Sequence, residues 1–195
     1  ARQQLGLPEG ARTLALFPGS RAGEISRLWP AYREAARQLL ASGACQEVLV
    51  AATEWGSYPG AEGMRLVRDD SSRILAAADA VLAKSGTTTL EAAMADVPMV
   101  VAYRVHPLTY RLAQRMITVK WVSLVNLIAD REVVPELLQG DATPARLVSA
   151  IAPLLDSTSA ACLAQRAGLA EVRARVGGPG ANARVAELAA GLLAA

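Results

Sequence analysis

The stretch Thr13-Leu14-Ala15-Leu16-Phe17-Pro18-Gly19-Ser20-Arg21-Ala22-Gly23-Glu24 decides the fold. From Thr13 to Phe17 the chain is almost continuously apolar, as a strand buried on both faces must be. Pro18-Gly19 ends that run. Ile25, Leu28, Trp29, Tyr32, Ala35, Ala36, Leu39 and Leu40 then recur at the spacing of one helix face, with Pro30 marking a kink or a second start. A buried strand feeding an amphipathic helix opens a βαβ unit, and the unit repeats along the chain. Further short apolar runs predict strands over 47–52, 64–67, 80–83, 99–103 and 121–124. The intervening patterns predict helices over 72–78, 87–95, 108–116, 131–139 and 144–155. After Asp156 the pattern is helical only: a stripe over 160–176, a Gly177-Gly178-Pro179-Gly180 break, then Val185, Leu188, Ala189 and Leu192 on one face. The expected fold is α/β, a doubly wound, mostly parallel sheet of Rossmann type with C-terminal helices from about residue 157.

Composition narrows the function classes. The 195 residues carry 20 basic and 18 acidic side chains, a net charge of +2, with 52% hydrophobic residues. That excludes a disordered chain, and the length suits one domain with one sizeable core. The longest apolar stretch, 74–83, is broken by Asp79 and is far shorter than the ~20 residues of a membrane-spanning helix. The chain begins at Ala1 and shows no secretory leader pattern. Cys45 and Cys162 lie far apart without metal-ligand spacing, which reads as packing residues in a reducing compartment. Basic residues are scattered, and Lys84 and Lys120 are the only lysines, so nucleic-acid binding is not expected.

In a doubly wound sheet ligands bind beyond the carboxyl ends of the strands, so the strand-end motifs carry the chemistry. The first is the Pro18–Glu24 turn. Gly19 lets backbone approach a ligand, free amides at the helix start attract an anion, and Arg21 offers a planar fork to phosphate oxygens. The plain alternative is a shaped turn with Arg21 paired to Glu24. Neither a P-loop nor a three-glycine dinucleotide fingerprint is present. The second motif is Lys84-Ser85-Gly86-Thr87-Thr88-Thr89-Leu90-Glu91, a second anion-accepting helix start. Two such sites suit a diphosphate, and Glu91, one turn on from Thr87, suits the two hydroxyls of a ribose; alternatively Glu91 only complements the helix dipole. The third motif, 121–136, places Asn126, Arg131 and Glu132 in an otherwise apolar strand-to-helix turn, either around a ligand or as turn and surface residues. His106 is the only histidine and no Gly-x-Ser-x-Gly elbow occurs, so a hydrolase triad is not expected. Tyr103 and Arg104 either line the same cleft or form a satisfied loop pair.

The segments 17–24, 85–91, 98–104 and 123–139, in this order and spacing, resemble the carboxyl-terminal half of the lipid-A-disaccharide synthases, inverting glycosyltransferases of GT-B architecture. The resemblance runs from about Leu5 to the last helix. It implies a UDP-sugar donor-binding domain, with Gly19, Ser20 and Arg21 on phosphate, Ser85, Gly86 and Thr87 on the diphosphate, and Glu91 on the ribose. Asn126 would sit near the leaving diphosphate, buttressed by Arg131 and Glu132, so Arg21 and Asn126 are the expected catalytic pair. The implied reaction moves 2,3-diacylglucosamine from its UDP form to 2,3-diacylglucosamine 1-phosphate, making a β-1,6 link and releasing UDP, in the cytoplasm at the inner-membrane face.

The resemblance also implies a separate amino-terminal domain for the lipid acceptor and the general base, for which 195 residues leave no room. A homodimer is compatible with it. No cofactor or metal is implied, and no Asp-x-Asp motif occurs. The sequence departs from the family pattern at Val125 in place of Pro, Asp130 in place of Gly, and Lys84 in place of a small residue. Two alternative functions are a UDP-sugar binding module without chemistry, and another UDP-sugar transferase or epimerase of GT-B type.

Overall fold

The computed structural model describes residues 1–68, 70–106, 120–177, 180, 186 and 189–191. Its six strands are β1 (Thr13–Phe17), β2 (Glu47–Ala51), β3 (Arg65–Val67), β4 (Ala80–Lys84), β5 (Met99–Tyr103) and β6 (Glu136–Leu138). They form one sheet in the order β3-β2-β1-β4-β5-β6, and every pairing is parallel. The order reverses direction between β1 and β4, so a crevice opens beyond the carboxyl ends of those two strands.

Alternation along the strands divides the core between two faces. Leu14, Leu16, Val48, Val50, Leu82, Val100 and Ala102 point to one side. There they meet Leu28, Trp29, Tyr32 and Leu39 of α1 (Ala22–Ala41), and Leu147 and Ile151 of α5 (Pro144–Ile151). Ala15, Phe17, Leu49, Val81, Ala83, Met99 and Val101 point to the other. They are covered by α2 (Ser71–Leu75), α3 (Thr87–Met94), α4 (Leu124–Ala129) and α6 (Ala160–Val176). Helix α1 continues through Pro30 as one element.

Five of the six expected strands lie where the apolar runs place them, within one residue at each end. The expected strand over 121–124 is instead an irregular segment leading into α4. Ser123 caps that helix, its hydroxyl accepting from the Asn126 amide at 3.2 Å, so Leu124 begins a helical turn. The expected helix over 131–139 is replaced by the edge strand β6 and a 3₁₀ turn at Gln139–Asp141. Val133-Val134-Pro135 cannot sustain a helix, and the three residues that follow complete the sheet beside β5.

Asp130 ends α4 in the left-handed conformation, φ 54°, a region aspartate tolerates better than most residues. The Asp130 departure therefore leaves the turn intact, and Val125 packs fully buried in the first turn of α4. The helix over 160–176 is built into the core. Gln165 reaches from it to the start of β5, its Oε1 accepting from the Met99 amide at 2.6 Å and its Nε2 donating to the Met99 carbonyl at 3.1 Å. The helix expected over 108–116 and most of the last helix, with Val185, Leu188 and Leu192, lie outside the described residues. Among the described residues no single helix is long and apolar enough to cross a membrane.

Candidate functional site

The β1–β4 crevice holds a pocket of about 300 Å³. Three strand ends build it: Phe17, Gly19, Ser20 and Glu24 after β1; Ala51, Ala52 and Thr53 after β2; and Lys84, Ser85, Gly86, Thr87, Thr88 and Glu91 after β4. Ser71 of α2 closes one wall. The turn after β1 requires its glycine: Gly19 has φ +122°, and a Cβ there would lie 2.7 Å from both Cβ and Oε2 of Glu24. The backbone thus passes directly over the Glu24 side chain. At the end of β2, the Tyr58 hydroxyl accepts from the Thr53 amide at 3.0 Å, and Tyr58 stacks edge-on against Trp29 at 5.3 Å. That contact fixes the pocket rim to α1.

Glu24 organises the positive side of the pocket. Its Oε2 accepts from the Ser20 amide at 3.1 Å and the Arg21 amide at 3.4 Å, which caps the start of α1. Its Oε1 lies 3.0 Å from the Lys84 ammonium and 3.7 Å from the Arg21 guanidinium. Burial pushes the Glu24 carboxyl up, but the hydrogen bond from Lys84, the Ser20 amide, the Lys84 charge and the Arg21 amide outweigh it. The carboxyl is held below its usual range. On the opposite wall, Glu91 accepts from the Ser71 hydroxyl at 2.7 Å. Ser85 turns its hydroxyl away from the pocket, donating to the Val122 carbonyl at 2.6 Å, so the 121–123 segment is tied to the pocket floor.

Gly19, Ser20, Ser85, Gly86, Thr87 and Glu91 therefore line one pocket. Arg21 stands beside it rather than in it, with its side chain 85% exposed. Asn126 departs from its expected ligand role. It is fully buried, and all its side-chain hydrogen-bonding capacity is used inside the protein. Its Oδ1 accepts from the Val133 and Val134 amides at 2.7 and 3.0 Å. Its Nδ2 donates to the Val134 carbonyl at 2.8 Å and Glu136 Oε1 at 2.9 Å. Glu136 in turn accepts from the Val122 and Ser123 amides, each at 2.9 Å. Asn126 and Glu136 thus form the scaffold that holds the segment Ser85 touches.

Arg131 pairs with Glu171 at 2.6 Å on the surface, and with Glu132 it borders a separate depression near Gln165. Neither reaches the strand-end pocket. Arg104 is spent on three carbonyls, those of Gln139, Arg27 and Ala142 at 3.0, 3.3 and 2.8 Å. Sequence reasoning gave no site role to Lys84, Glu24 or Ser71. A lysine closing the otherwise apolar Ala80–Ala83 run was the one signal available.

Comparison with known proteins agrees with this architecture. Residues 1–177 match a family model described as lipid-A-disaccharide synthetase. The lipid-A-disaccharide synthase of Anaeromyxobacter sp. (strain K) is 42% identical over 203 residues, covering 98% of this chain and 52% of that protein. The one from Azotobacter vinelandii is 45% identical over 167 residues, 80% of this chain and 44% of its own length. The chain spans about half the length of the curated relatives it matches.

Among solved structures, the calicheamicin glycosyltransferase CalG4 superposes with a TM-score of 0.58 at 19% identity, over 95% of this chain and 45% of its own. WaaG, a glycosyltransferase involved in lipopolysaccharide biosynthesis, gives 0.51 at 17% identity, over 88% and 44%. These likenesses establish a glycosyltransferase fold of GT-B type. With the family match over most of its length, the chain belongs to the lipid-A-disaccharide synthetase family.

Proposed function

We propose that this chain is the donor-binding half of a lipid-A-disaccharide synthase and that the pocket beyond β1, β2 and β4 takes the UDP part of UDP-2,3-diacylglucosamine. The observation that carries the reading is the convergence of two helix starts and a carboxylate at the topological switch point. The start of α1, whose Ser20 and Arg21 amides are capped by Glu24, offers its positive helix end, and the Gly86–Thr88 turn offers amides and a second positive end to a diphosphate. Glu91, held by Ser71, stands one helical turn away to accept the ribose hydroxyls. In the reaction, the acceptor's 6-hydroxyl oxygen bonds to the anomeric carbon as the bond from that carbon to the β-phosphate oxygen breaks. The hydroxyl proton goes to a base on an amino-terminal domain, and UDP leaves with the bonding pair. Donors aimed at the departing diphosphate stabilise the charge developing there. Protein cations and helix ends perform this neutralisation without a bound metal. The lipid substrates place the assembled enzyme peripherally on the cytoplasmic face of the inner membrane.

Thermal denaturation with UDP, ADP and GDP tests the donor assignment. At about 100 times its dissociation constant UDP adds ~2.7 kcal/mol, which raises the melting temperature of a chain this size by roughly 5 to 10 °C. Glu91→Ala should weaken UDP and uridine by a similar factor, because it removes the ribose contact common to both. Absence of any shift with millimolar UDP, in a folded sample, contradicts the donor reading. A shift that Glu91→Ala leaves unchanged contradicts the ribose assignment alone.

A further inference from the structure

We propose that the Lys84 ammonium is the cation that grips the donor's diphosphate, and that Glu24 is the group the diphosphate displaces from it. The inference rests on the donor-site reading and assigns the charge that reading needs. Lys84 ends β4 at the switch point, with its side chain 22% exposed. Its Nζ lies only 3.8 Å from where a Cβ on Gly86 would stand, against the first turn of α3. A cation beside a helix N-terminus has the wrong sign for that helix's dipole, so the position is favourable only with an anion at hand.

Glu24 is that anion. One carboxylate, 17% exposed, is shared among the Lys84 ammonium at 3.0 Å, the Arg21 guanidinium at 3.7 Å and the Ser20 and Arg21 amides. Its Oε1 thus serves two cations at once, a pair that a diphosphate, with more oxygens and more charge, satisfies better. The second carboxylate of the pocket, Glu91, is held on the opposite wall by Ser71 and does not compete for Lys84. On exchange, Lys84 passes from Glu24 to phosphate oxygens while Glu24 keeps its two cap amides. Holding the β-phosphate in this way puts Lys84 on the leaving group, where its charge counts most as the bond to the sugar breaks.

Calorimetric titration of the chain with UDP, uridine and inorganic pyrophosphate tests this, using wild type, Lys84→Met, Lys84→Arg and Glu24→Gln. Lys84→Met should weaken UDP and pyrophosphate by about 10- to 100-fold, the worth of a charge-assisted hydrogen bond, and leave uridine within about twofold. Lys84→Arg should restore most of the loss. Glu24→Gln, which removes the competing charge, should tighten pyrophosphate several-fold.

UDP binding by wild type that Lys84→Met leaves unchanged overturns the assignment and spares the donor site. So does a loss that falls equally on uridine. Pyrophosphate binding that depends on Lys84, without any affinity for UDP, upholds the lysine and overturns the nucleotide reading. If neither ligand binds folded wild-type chain, both fall. Should Lys84→Met fail to fold, Glu24→Gln binding pyrophosphate no more tightly than wild type overturns the displacement.

Discussion

Asn126→Ala should cost the domain about 3 to 4 kcal/mol of stability, lowering its melting temperature by roughly 10 °C, while UDP affinity of the folded fraction changes little. The truncation leaves the Val133 and Val134 amides without their acceptor, the Val134 carbonyl without this donor and Glu136 with one donor fewer, around a side chain with no solvent exposure. Asn126→Asp should be worse at neutral pH, because it turns the two donor contacts into oxygen facing oxygen. Burial, with the Val134 carbonyl and the Glu136 carboxylate facing it, would raise the pKa of the new carboxyl above its unfolded value. The native state therefore binds more protons than the unfolded one, and stability should recover as pH falls through that raised value. Urea denaturation at pH 7 and pH 5 measures both effects. An Asn126→Ala chain with wild-type stability and abolished UDP binding would return Asn126 to the ligand.

The chain alone should transfer sugar at least about 10³-fold more slowly than a two-domain relative, and should regain activity when an amino-terminal half of the family is supplied. Among the described residues two carboxylates line the pocket, and each has a partner, Lys84 for Glu24 and Ser71 for Glu91. Positioning the acceptor hydroxyl against the anomeric carbon and removing its proton are separate contributions, each of several powers of ten or less, and both would come from across an interdomain cleft. An assay with UDP-diacylglucosamine and lipid acceptor, with and without the separately expressed partner, decides the matter. Rapid turnover by the chain alone would place the base among its own residues.

Much of the fold is legible in the sequence because strands buried on both faces are spelled as unbroken apolar runs. Thr13–Phe17, Ala80–Ala83 and Met99–Tyr103 read as such runs, and the ends of the first two delimit the pocket. The edge was harder to read. β6 has three residues and opens with Glu136, whose carboxylate serves the 121–123 segment, whereas 121–124 is apolar but belongs to a capped helix start.

The site divides in the same way. Gly19 and the Ser85–Thr87 turn were readable because close backbone approach and helix starts leave local signatures. Asn126 is ambiguous from sequence, because polarity in an apolar setting signals a partner without saying which one. Here the partner is internal, and Glu136, ten residues on, was the clue. The Glu24–Lys84 pair was invisible to any local pattern, since only the β1–β4 pairing brings its two halves together.

The central claim, that the β1–β4 crevice receives a UDP-sugar's diphosphate, is tested most directly by backbone amide NMR of the chain titrated with UDP. The account predicts saturable shifts at Ser20, Arg21, Gly86, Thr87 and Thr88, with Glu91 and the end of β2 responding to uridine as well. No response from a folded sample would contradict it, as would shifts gathered instead around Arg131, Glu132 and Gln165.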